Sequence, residues 1–326
     1  MSTEAVDNST DLSARGAIRV ADIDQLREVL VGWDTDPVQL GKGRLHFRYE
    51  YLRSSDFNLA RMSANRLMSD LSAHQERTYT FVVCMSRLIF CCIEAPPGSV
   101  VLYGPGRDYR SVLPTGWRSL EVTVTERLIH ERGLEVPNHS ALAPERSVFP
   151  LNDQTLAEFV RLEQKAFRLD IASEQSLTTS IEPVRDWCLD LLFRALSGAG
   201  WNHSDRSAIH PVACYDLARA ALELIDDWDA DSGSASGVAK QLGVSPRMLQ
   251  LAFRSAGLCS PGQYMLARRL NMARRYLVAN DCHDRTVTEA AIDQRFSHLG
   301  RFSEHFRRLF GERPSEALQR ASAHKP

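Results

Sequence analysis

One stretch near the C-terminus constrains the fold more than any other: residues 296–311, which read FSHLGRFSEHFRRLFG. Phe302, Phe306 and Phe310 recur at every fourth position, so in a helix they lie on one buried stripe. Ser297 is a suitable N-cap, and the final glycine is a suitable stop. The opposite face carries charged and hydrogen-bonding side chains, namely Arg301, Glu304, His305 and Arg308. Such a helix fits a DNA major groove, and the alternative is an amphipathic helix that only packs a C-terminal core.

Charge is divided unevenly along the chain. From Gly233 to the C-terminus there are 15 basic and 7 acidic residues, a net charge of +8. The remainder has 24 basic and 34 acidic residues, a net charge of −10. A basic unit beside an acidic remainder is typical of a polyanion-binding domain attached to a domain that does not touch nucleic acid. The length of 326 residues is sufficient for two such domains.

Several protein classes are not expected. The N-terminus has no signal-like segment and no apolar run approaches a membrane span, so a cytoplasmic protein is predicted. Seven cysteines without a CxxC pair argue against a zinc site or a disulfide framework, although a redox role for Cys91 or Cys92 stays open. His46 and His74 are not clustered with carboxylates, so no metal is predicted. The chain lacks Walker A, GxGxxG, GxSxG and HExxH motifs, so neither an enzyme nor a cofactor is expected.

The N-terminal half has the pattern of a β domain. After a short helix predicted before Asp34, residues 43–124 contain alternating or apolar runs separated by Gly- and Pro-rich turns. Such strands predict an antiparallel barrel or double-sheet sandwich with room for a small ligand. Two helical patterns follow, which either pack on the barrel or form a subunit interface. The predicted segments are a disordered tail at 1–16, a sensor domain at 17–150, two helices at 151–201, a linker at 202–211 and a helical domain at 212–326.

A second helix-turn-helix candidate lies upstream, at SASGVAKQLGVSPRMLQLAFRSAG. Ala239 is small where two helices must cross, Gly243 suits a tight turn, and Ser245 is an N-cap ahead of a proline. Leu249 and Phe253 are predicted to pack inward. The outward positions are then Arg247, Met248, Gln250 and Arg254.

A long helix joins the two candidates. SPGQYMLARRLNMARRYLVAN predicts that helix, and Thr286 with Glu289 forms a capping box at the start of the second unit. The segments GVAKQLGVSPRMLQLAFR, ARRLNMARRYL and FSHLGRFSEHFRRLFGERPSEAL resemble the DNA-binding domain of the AraC/XylS transcriptional regulators. The resemblance covers about a hundred residues and implies seven helices, with recognition helices that start at Ser245 and Ser297 and enter successive major grooves. GKGRLHF and PGSVVLYGPG loosely resemble the family's cupin-like sensor domains, which implies an α+β chain with an N-terminal antiparallel β-barrel.

Two positions depart from the family's pattern. Arg295 stands where glycine is common before the phenylalanine of the second turn. A positive φ would cost arginine about a kcal/mol, so we expect an altered turn or an Arg295 that contacts phosphate. Leu251 stands where a charged residue is common, and it either touches a thymine methyl group or covers the core.

Roles can be predicted for individual side chains of the two recognition helices and of the N-terminal domain. The predicted base-reading residues are Arg247, Gln250, Arg254, His298, Arg301 and Glu304. The predicted phosphate contacts are Ser245, Arg295, Ser297, Arg307 and Arg308. Candidate effector-binding residues are His46, Arg48, Arg61, Arg66 and Trp117, which would suit an anionic ligand such as a nucleotide.

These assignments predict a homodimeric, effector-responsive regulator of transcription that binds double-stranded DNA and works with RNA polymerase. Two alternatives stay open at this stage. One is a ligand-free or redox-responsive regulator that acts through dimerisation or protein partners. The other is a non-regulatory nucleic-acid or scaffold protein.

Overall fold

The computed structural model describes the ranges 14–30, 33–74, 77–133, 147–167, 181–198, 212–226, 233–279 and 285–323. The strands in these ranges are β1 (Ala14–Val20), β2 (Trp33–Gln39), β3 (Phe47–Arg53), β4 (Phe57–Ala64), β5 (Met68–His74), β6 (Thr78–Cys84), β7 (Leu88–Phe90), β8 (Ile93–Ala95), β9 (Ser99–Tyr103), β10 (Asp108–Leu113), β11 (Trp117–Thr125) and β12 (Val148–Pro150). The α-helices are α1 (Leu26–Val29), α2 (Glu126–Glu131), α3 (Asp153–Phe167), α4 (Glu182–Gly198), α5 (Val212–Asp226), α6 (Ala235–Gln241), α7 (Pro246–Ser255), α8 (Pro261–Val278), α9 (Val287–Asp293), α10 (Leu299–Phe310) and α11 (Pro314–Ala323).

The strands form two antiparallel sheets. One has seven strands in the order β1-β3-β4-β11-β6-β9-β12, and the other has five in the order β2-β5-β10-β7-β8. The double-sheet antiparallel class is therefore as predicted. A closed barrel is not formed by the described strands, because each sheet ends in unclosed edge strands.

Strand alternation gives the seven-stranded sheet two different faces. On β11, Trp117 belongs to the core between the two sheets, whereas Leu120 and Val122 belong to a second core on the outer face. Phe159 of α3 and Leu192 of α4 complete that second core. The two helices predicted from residues 151–201 therefore pack on the sheet.

The beginning of the chain differs from its prediction. Residues 1–13 lie outside the described ranges, but Ala14–Gly16 belong to β1, which pairs along the whole of β3. The predicted tail is thus three residues too long. The short helix before Asp34 exists as a 3-10 turn at Ile23–Gln25 that continues into α1. The Asp22 side chain caps this turn by accepting a hydrogen bond from the Asp24 amide.

Seven helices, α5 to α11, make up the described C-terminal region, as the family resemblance implies. The long helix α8 begins with a capping box between Ser260 and Gln263, and α9 begins with the predicted box between Thr286 and Glu289. The predicted linker at 202–211 lies outside the described residues. Within the described ranges, no helix combines the length and apolarity that a membrane crossing requires.

The five-stranded sheet lies between the core of the sheet domain and the C-terminal helices. Ile89 of β7 and Val112 of β10 share a buried core with Leu222 of α5 and Phe253 of α7. The same sheet faces the seven-stranded sheet on its other side. The described chain is therefore layered, with α3 and α4, the seven-stranded sheet, the five-stranded sheet and the C-terminal helices in succession.

Candidate nucleic-acid interface and sensor cavity

The two helix-turn-helix units have turns of the same construction, 52 residues apart in the sequence. In the first, Gly243 has φ 67° and the Val244 amide donates to the Ala239 carbonyl at 2.9 Å. In the second, Arg295 has φ 58° and the Phe296 amide donates to the corresponding carbonyl, that of Ala291, also at 2.9 Å. The turn is therefore retained with a positive φ, so of the two predicted alternatives the altered turn is wrong and the phosphate contact of Arg295 stays a prediction.

A neighbouring arginine supports the second turn. Arg269 of α8 donates from Nε to the Gln294 carbonyl at 2.8 Å and from Nη2 to the Arg295 carbonyl at 3.0 Å. Its guanidinium also lies 4.1 Å from the centroid of the Phe296 ring. Partial burial and the charge of Arg295 lower the pKa of Arg269. These contacts hold the left-handed residue in place while the Arg295 side chain stays exposed.

The first recognition helix, α7, presents a polar face to solvent. The Ser245 hydroxyl accepts a hydrogen bond from the Met248 amide at 3.2 Å, so the predicted cap is confirmed. Leu249 and Phe253 are buried as predicted. The exposed positions include the proposed base readers Arg247, Gln250 and Arg254. Leu251 is 40% exposed and does not cover the core.

The second recognition helix, α10, buries the phenylalanine stripe. Phe302 and Phe306 are fully buried and Phe310 is 5% exposed, as predicted. Gly311 ends the helix with φ 75°. The proposed DNA-facing residues of this unit are exposed, and they comprise Ser297, His298, Arg301, Glu304, Arg307 and Arg308.

The start of α10 differs from its prediction. Ser297 does not cap it, because the N-cap position is His298 and no side chain there accepts a helix amide. The predicted cap is wrong for this reason, although Ser297 stays available to a phosphate. Its role in DNA contact, like those of the other assigned side chains, stays a prediction.

Strand β2 contacts the linker helix α8 through two hydrogen bonds between a side-chain amide and the strand backbone. The Asn271 side chain donates to the Gln39 carbonyl at 3.0 Å and accepts from the Gln39 amide at 3.0 Å. The Gln39 side chain donates to the Leu309 carbonyl at the end of α10 at 2.7 Å. The Gly43 amide adds a 2.9 Å bond to the same carbonyl. One segment of the sheet domain therefore contacts both α8 and α10.

Ion pairs connect the sheet domain to the helical domain, most of them between an acidic residue of the sheet domain and an arginine of the helical domain. The guanidinium of Arg274, 2% exposed, binds Asp22 and Glu312 and lies 3.2 Å from Asp24. Arg320 binds Asp22 at 2.9 Å. The pairs of the second cluster are Arg268–Asp36 at 2.7 Å, Arg275–Asp36 at 2.7 Å and Arg110–Asp226 at 2.5 Å. Sequence reasoning missed this contact, which we call the interdomain latch.

The carboxyl groups of the latch titrate differently. Burial acts to raise the pKa of Asp22, but Arg274 and Arg320 hold it below its usual value. Burial also acts to raise the pKa of Asp36, but the charges of Arg268 and Arg275 lower it below its usual value. Burial and the neighbouring Asp22 charge raise the pKa of Asp24 to about 7. Asp22 and Asp36 of the latch thus have lowered pKa values, whereas the pKa of Asp24 lies near neutrality.

A cavity of about 60 Å³ lies between the two sheets. Its wall includes Trp117, which is one of the predicted effector residues, together with Asp70 and Glu121, which the sequence analysis missed. The alternation SLEVTV on β11 places Glu121 inward, but only the sheet pairing shows that Asp70 lies on the opposite wall. The cavity and the predicted site therefore overlap only at Trp117.

A second, more open groove, called the outer groove below, lies at the ends of β1, β3, β4 and β11. It has a volume of about 500 Å³, and His46, Arg48 and Trp117 line it together with Arg19 and Arg118. Arg61 is absent from its lining and instead donates from Nε to Glu50 at 2.8 Å. Arg66 lies beside Gly43, also away from the groove. The structure thus brings three of the five candidate effector residues together.

Comparison with known proteins gives a regional match. A family described as a helix-turn-helix domain matches residues 238–320. The XylDLEGF operon transcriptional activator 3 of Pseudomonas putida is 36% identical over 99 residues, which are 30% of each chain. The XylDLEGF operon transcriptional activator 2 of the same organism is 32% identical over 124 residues, which are 38% of this chain and 75% of that protein.

The matched part is short relative to most of these proteins. The chain spans under a third of the length of the first two curated relatives that it matches, 30% and 23%. The crystal structure of the AraC-like transcriptional activator CuxR covers 79% of this chain and 94% of its own, with 14% identity. Its TM-score of 0.38 is too low to establish a shared fold.

Proposed function

Because the chain belongs to the AraC/XylS family of transcriptional regulators, we propose that it regulates transcription by binding a specific DNA sequence through α7 and α10. The observation that carries this proposal is the repeated turn geometry at Gly243 and Arg295, each followed by a helix with an exposed polar face. Two such helices joined by α8 suit successive major grooves. The match to transcriptional activators supports the same function.

Base reading and phosphate contact are separable roles on α10. Arg301 and Glu304 supply the hydrogen-bonding groups that read base edges, with His298 at the start of the helix. Arg307 and Arg308 lie in its last turn and supply charge for the phosphates. The corresponding readers on α7 are Arg247, Gln250 and Arg254.

Selection of bound fragments from a random DNA library by the full chain tests the proposal. We expect one recurring motif, with Arg301→Ala weakening binding to that motif by about 1–3 kcal/mol and relaxing one base position. Arg307→Ala is the matched control on the same helix. It should weaken binding to all sequences alike and reduce the salt dependence by about one unit. Recovery of no common motif would exclude a sequence-specific regulator.

The interdomain latch is the proposed route of control. The sheet domain holds α8 through Asn271 and holds the end of α10 through Gln39. An effector bound in the sheet domain can act only through a difference in affinity for two arrangements of these domains. The function we propose also includes a small effector, a homodimer, contact with RNA polymerase and a cytoplasmic location.

An anionic effector, a nucleotide among them, would occupy the outer groove. His46, Arg48 and Trp117 line that groove, and Arg19 and Arg118 add positive charge. Calorimetric titration of the full chain with nucleotides tests this, and Arg48→Ala should weaken any binding while Arg61→Ala, outside the groove, should not. Equal effects of both variants would place the anion elsewhere.

The redox alternative has less physical support. Burial raises the pKa of the Cys92 thiol to about 12, whereas reactive cysteines have a lowered pKa. Cys91 is buried beside it. A ligand-free regulator that acts by dimerisation is the alternative that the latch geometry leaves open.

A further inference from the structure

The cavity between the two sheets carries two carboxyl groups that DNA binding does not use. Glu121 projects from β11 of the seven-stranded sheet, and Asp70 projects from β5 of the five-stranded sheet. Glu121 is 6% exposed. The cavity volume of about 60 Å³ is several times the roughly 10–15 Å³ that one water molecule needs. The space therefore suits a small molecule that contacts both carboxyl groups.

Neither carboxyl group forms an ion pair within the described residues, although the charges of Arg110 and Arg27 lower the pKa of Asp70. Glu121 accepts a hydrogen bond from the Ser119 hydroxyl at 3.1 Å, and Asp70 accepts one from the Thr35 hydroxyl at 2.6 Å. Burial raises the pKa of Glu121 to about 7 and that of Asp70 to about 6. Buried carboxylates are usually paired with a cation. Both pKa values lie near neutrality, so the two carboxyl groups are partly ionised there without an ion-paired cation among the described residues.

The remaining walls favour an organic cation over a metal ion. Trp33 and Tyr103 meet edge to face with ring centroids 5.3 Å apart, and Phe47 stacks on Trp117 at 6.5 Å. All four line the cavity. Aromatic faces attract ammonium groups, and the described residues contain no cluster of three or more His, Cys, Asp or Glu side chains that could hold a metal ion.

Trp117, which lines both this cavity and the outer groove, provides a second indication of a ligand. It is 3% exposed, and its indole nitrogen is a buried donor that has no hydrogen-bond partner in the part of the chain that the structure describes. Buried indole N–H groups usually have an acceptor. A ligand oxygen would satisfy it.

We propose that this cavity binds a small organic amine as its ammonium ion, held by Asp70 and Glu121, with its hydrocarbon part against the aromatic side chains. An oxygen acceptor on the ligand would take the Trp117 N–H. An anionic ligand is disfavoured here because the two carboxyl groups repel it. As an effector site this rests on the proposed function, but the binding itself needs no DNA.

Strand β2 connects the cavity to the helical domain. Thr35 and Pro37 line the cavity, and Asp36 between them projects to the other side of the strand. There it pairs with Arg268 and Arg275 of α8. An ammonium ion in the cavity is thus separated from the interdomain latch by the thickness of one strand.

Titration of the full chain with n-butylammonium, 1-butanol and butyrate tests the charge preference at constant ionic strength. The three probes have nearly the same size and differ in charge. We expect n-butylammonium to bind at least tenfold more tightly than 1-butanol in calorimetry, with no binding of butyrate. Equal affinities, a preference for butyrate, or no response to n-butylammonium would overturn the proposal.

Isosteric variants locate the site. Glu121→Gln and Asp70→Asn should each weaken n-butylammonium binding about tenfold and leave 1-butanol unchanged, whereas Glu94→Gln, at an exposed ion pair, should alter neither. An unchanged affinity for n-butylammonium in both cavity variants would refute binding at Asp70 and Glu121.

The indole N–H resonance of Trp117 provides a second measurement in the unaltered chain. It should shift with n-butylammonium, and a resonance that does not move would refute cavity binding even if a variant failed to fold. Arg301→Ala, which tests DNA recognition, should leave the titration unchanged. The two proposals can therefore fail separately.

Discussion

At the residue scale, Arg295 shows how a helix-turn-helix turn tolerates a residue other than glycine. Its φ of 58° places it in the left-handed region, which costs a side-chain-bearing residue about 1–2 kcal/mol. Arg269 offsets part of this cost by bonding the carbonyls of Gln294 and Arg295. An exposed arginine kept at a strained position suggests a role outside the fold, and phosphate contact is the one that the sequence predicts.

We expect Arg295→Gly to stabilise the chain slightly and to weaken DNA binding. Removing the strain gains about 1–2 kcal/mol, while the greater freedom of glycine in the unfolded chain costs about 0.4–1 kcal/mol. Lost phosphate contact should weaken binding to all sequences and reduce the salt slope by about one unit. Denaturant unfolding and salt-dependent binding measure the two effects.

Gly243→Ala is the matched control for that prediction. It has φ 67° in the equivalent turn, so alanine should destabilise the first unit by about 1 kcal/mol. If Arg295→Gly destabilised the chain by a similar amount, its side chain would be part of the packing. If DNA affinity did not change, the phosphate assignment would be wrong.

At the element scale, the two recognition helices start differently. In α7 the hydroxyl of Ser245 satisfies the Met248 amide, whereas in α10 the N-cap is His298 and no side chain bonds the first turn. An uncapped start leaves helix amides available to a phosphate. The start of α10 therefore gives up stability that a capping side chain would provide.

His298→Ser should raise the free energy of unfolding by about 0.5–2 kcal/mol, because serine at this position can accept a helix amide. It should also reduce discrimination at one base position if His298 reads a base. Thermal unfolding and a binding screen over single-base variants of the selected motif measure both. Ser297→Ala should change stability by less than about 0.5 kcal/mol, and a larger loss would restore Ser297 as the cap.

The sequence predicts elements whose cause is local. The spacing of Phe302, Phe306 and Phe310 fixes the buried face of α10, and the pair Thr286 and Glu289 fixes the start of α9. The site residues that sequence reasoning missed depend on long-range pairing. Asn271 and Gln39 are 232 positions apart, and no local pattern relates them.

The same limit applies to the cavity. Glu121 lies on an alternating strand, but its position opposite Asp70 follows from the order of strands in two separate sheets. A one-residue change of register would turn either side chain to the other face. The side chains that line the cavity therefore depend on the register of strands that are distant in the sequence, and local periodicity does not determine that register.

Stability should depend on pH through Glu121. Burial raises its pKa to about 7 from an ordinary value of 4.5, so the folded chain holds this proton more tightly than the unfolded chain. Its stabilising contribution is complete below pH 4.5 and is lost as the pH rises through about 7, a change on the order of 3 kcal/mol. Glu121→Gln should remove this loss, measured as the difference in unfolding free energy between pH 5 and pH 8. An unchanged difference would mean that Glu121 does not titrate there.

At the scale of the whole molecule, the positive charge of the C-terminal region has two roles. The excess of positive charge after Gly233 predicts a polyanion partner, yet Arg268, Arg274, Arg275 and Arg320 pair with carboxylates of the sheet domain. Arg274 is 2% exposed and is therefore not available to DNA in this arrangement. Part of the positive charge thus holds the domains together, and the arginines of α7 and α10 remain exposed for DNA.

Asp22→Asn should separate the unfolding of the two domains. Asp22 is buried and accepts hydrogen bonds from Arg274, with Arg320 2.9 Å away, so its loss leaves the Arg274 guanidinium with Glu312 and Asp24 in place of three acidic neighbours. Breaking such a pair costs on the order of 3–5 kcal/mol. Because both domains share buried cores across the latch, the unaltered chain should unfold in one calorimetric transition, and the variant in two.

Arg219→Ala, which removes an exposed ion pair on α5, should lose at most about 1 kcal/mol and keep one transition. An Asp22→Asn chain that unfolds in one transition at an unchanged temperature would show that the latch does not couple the domains.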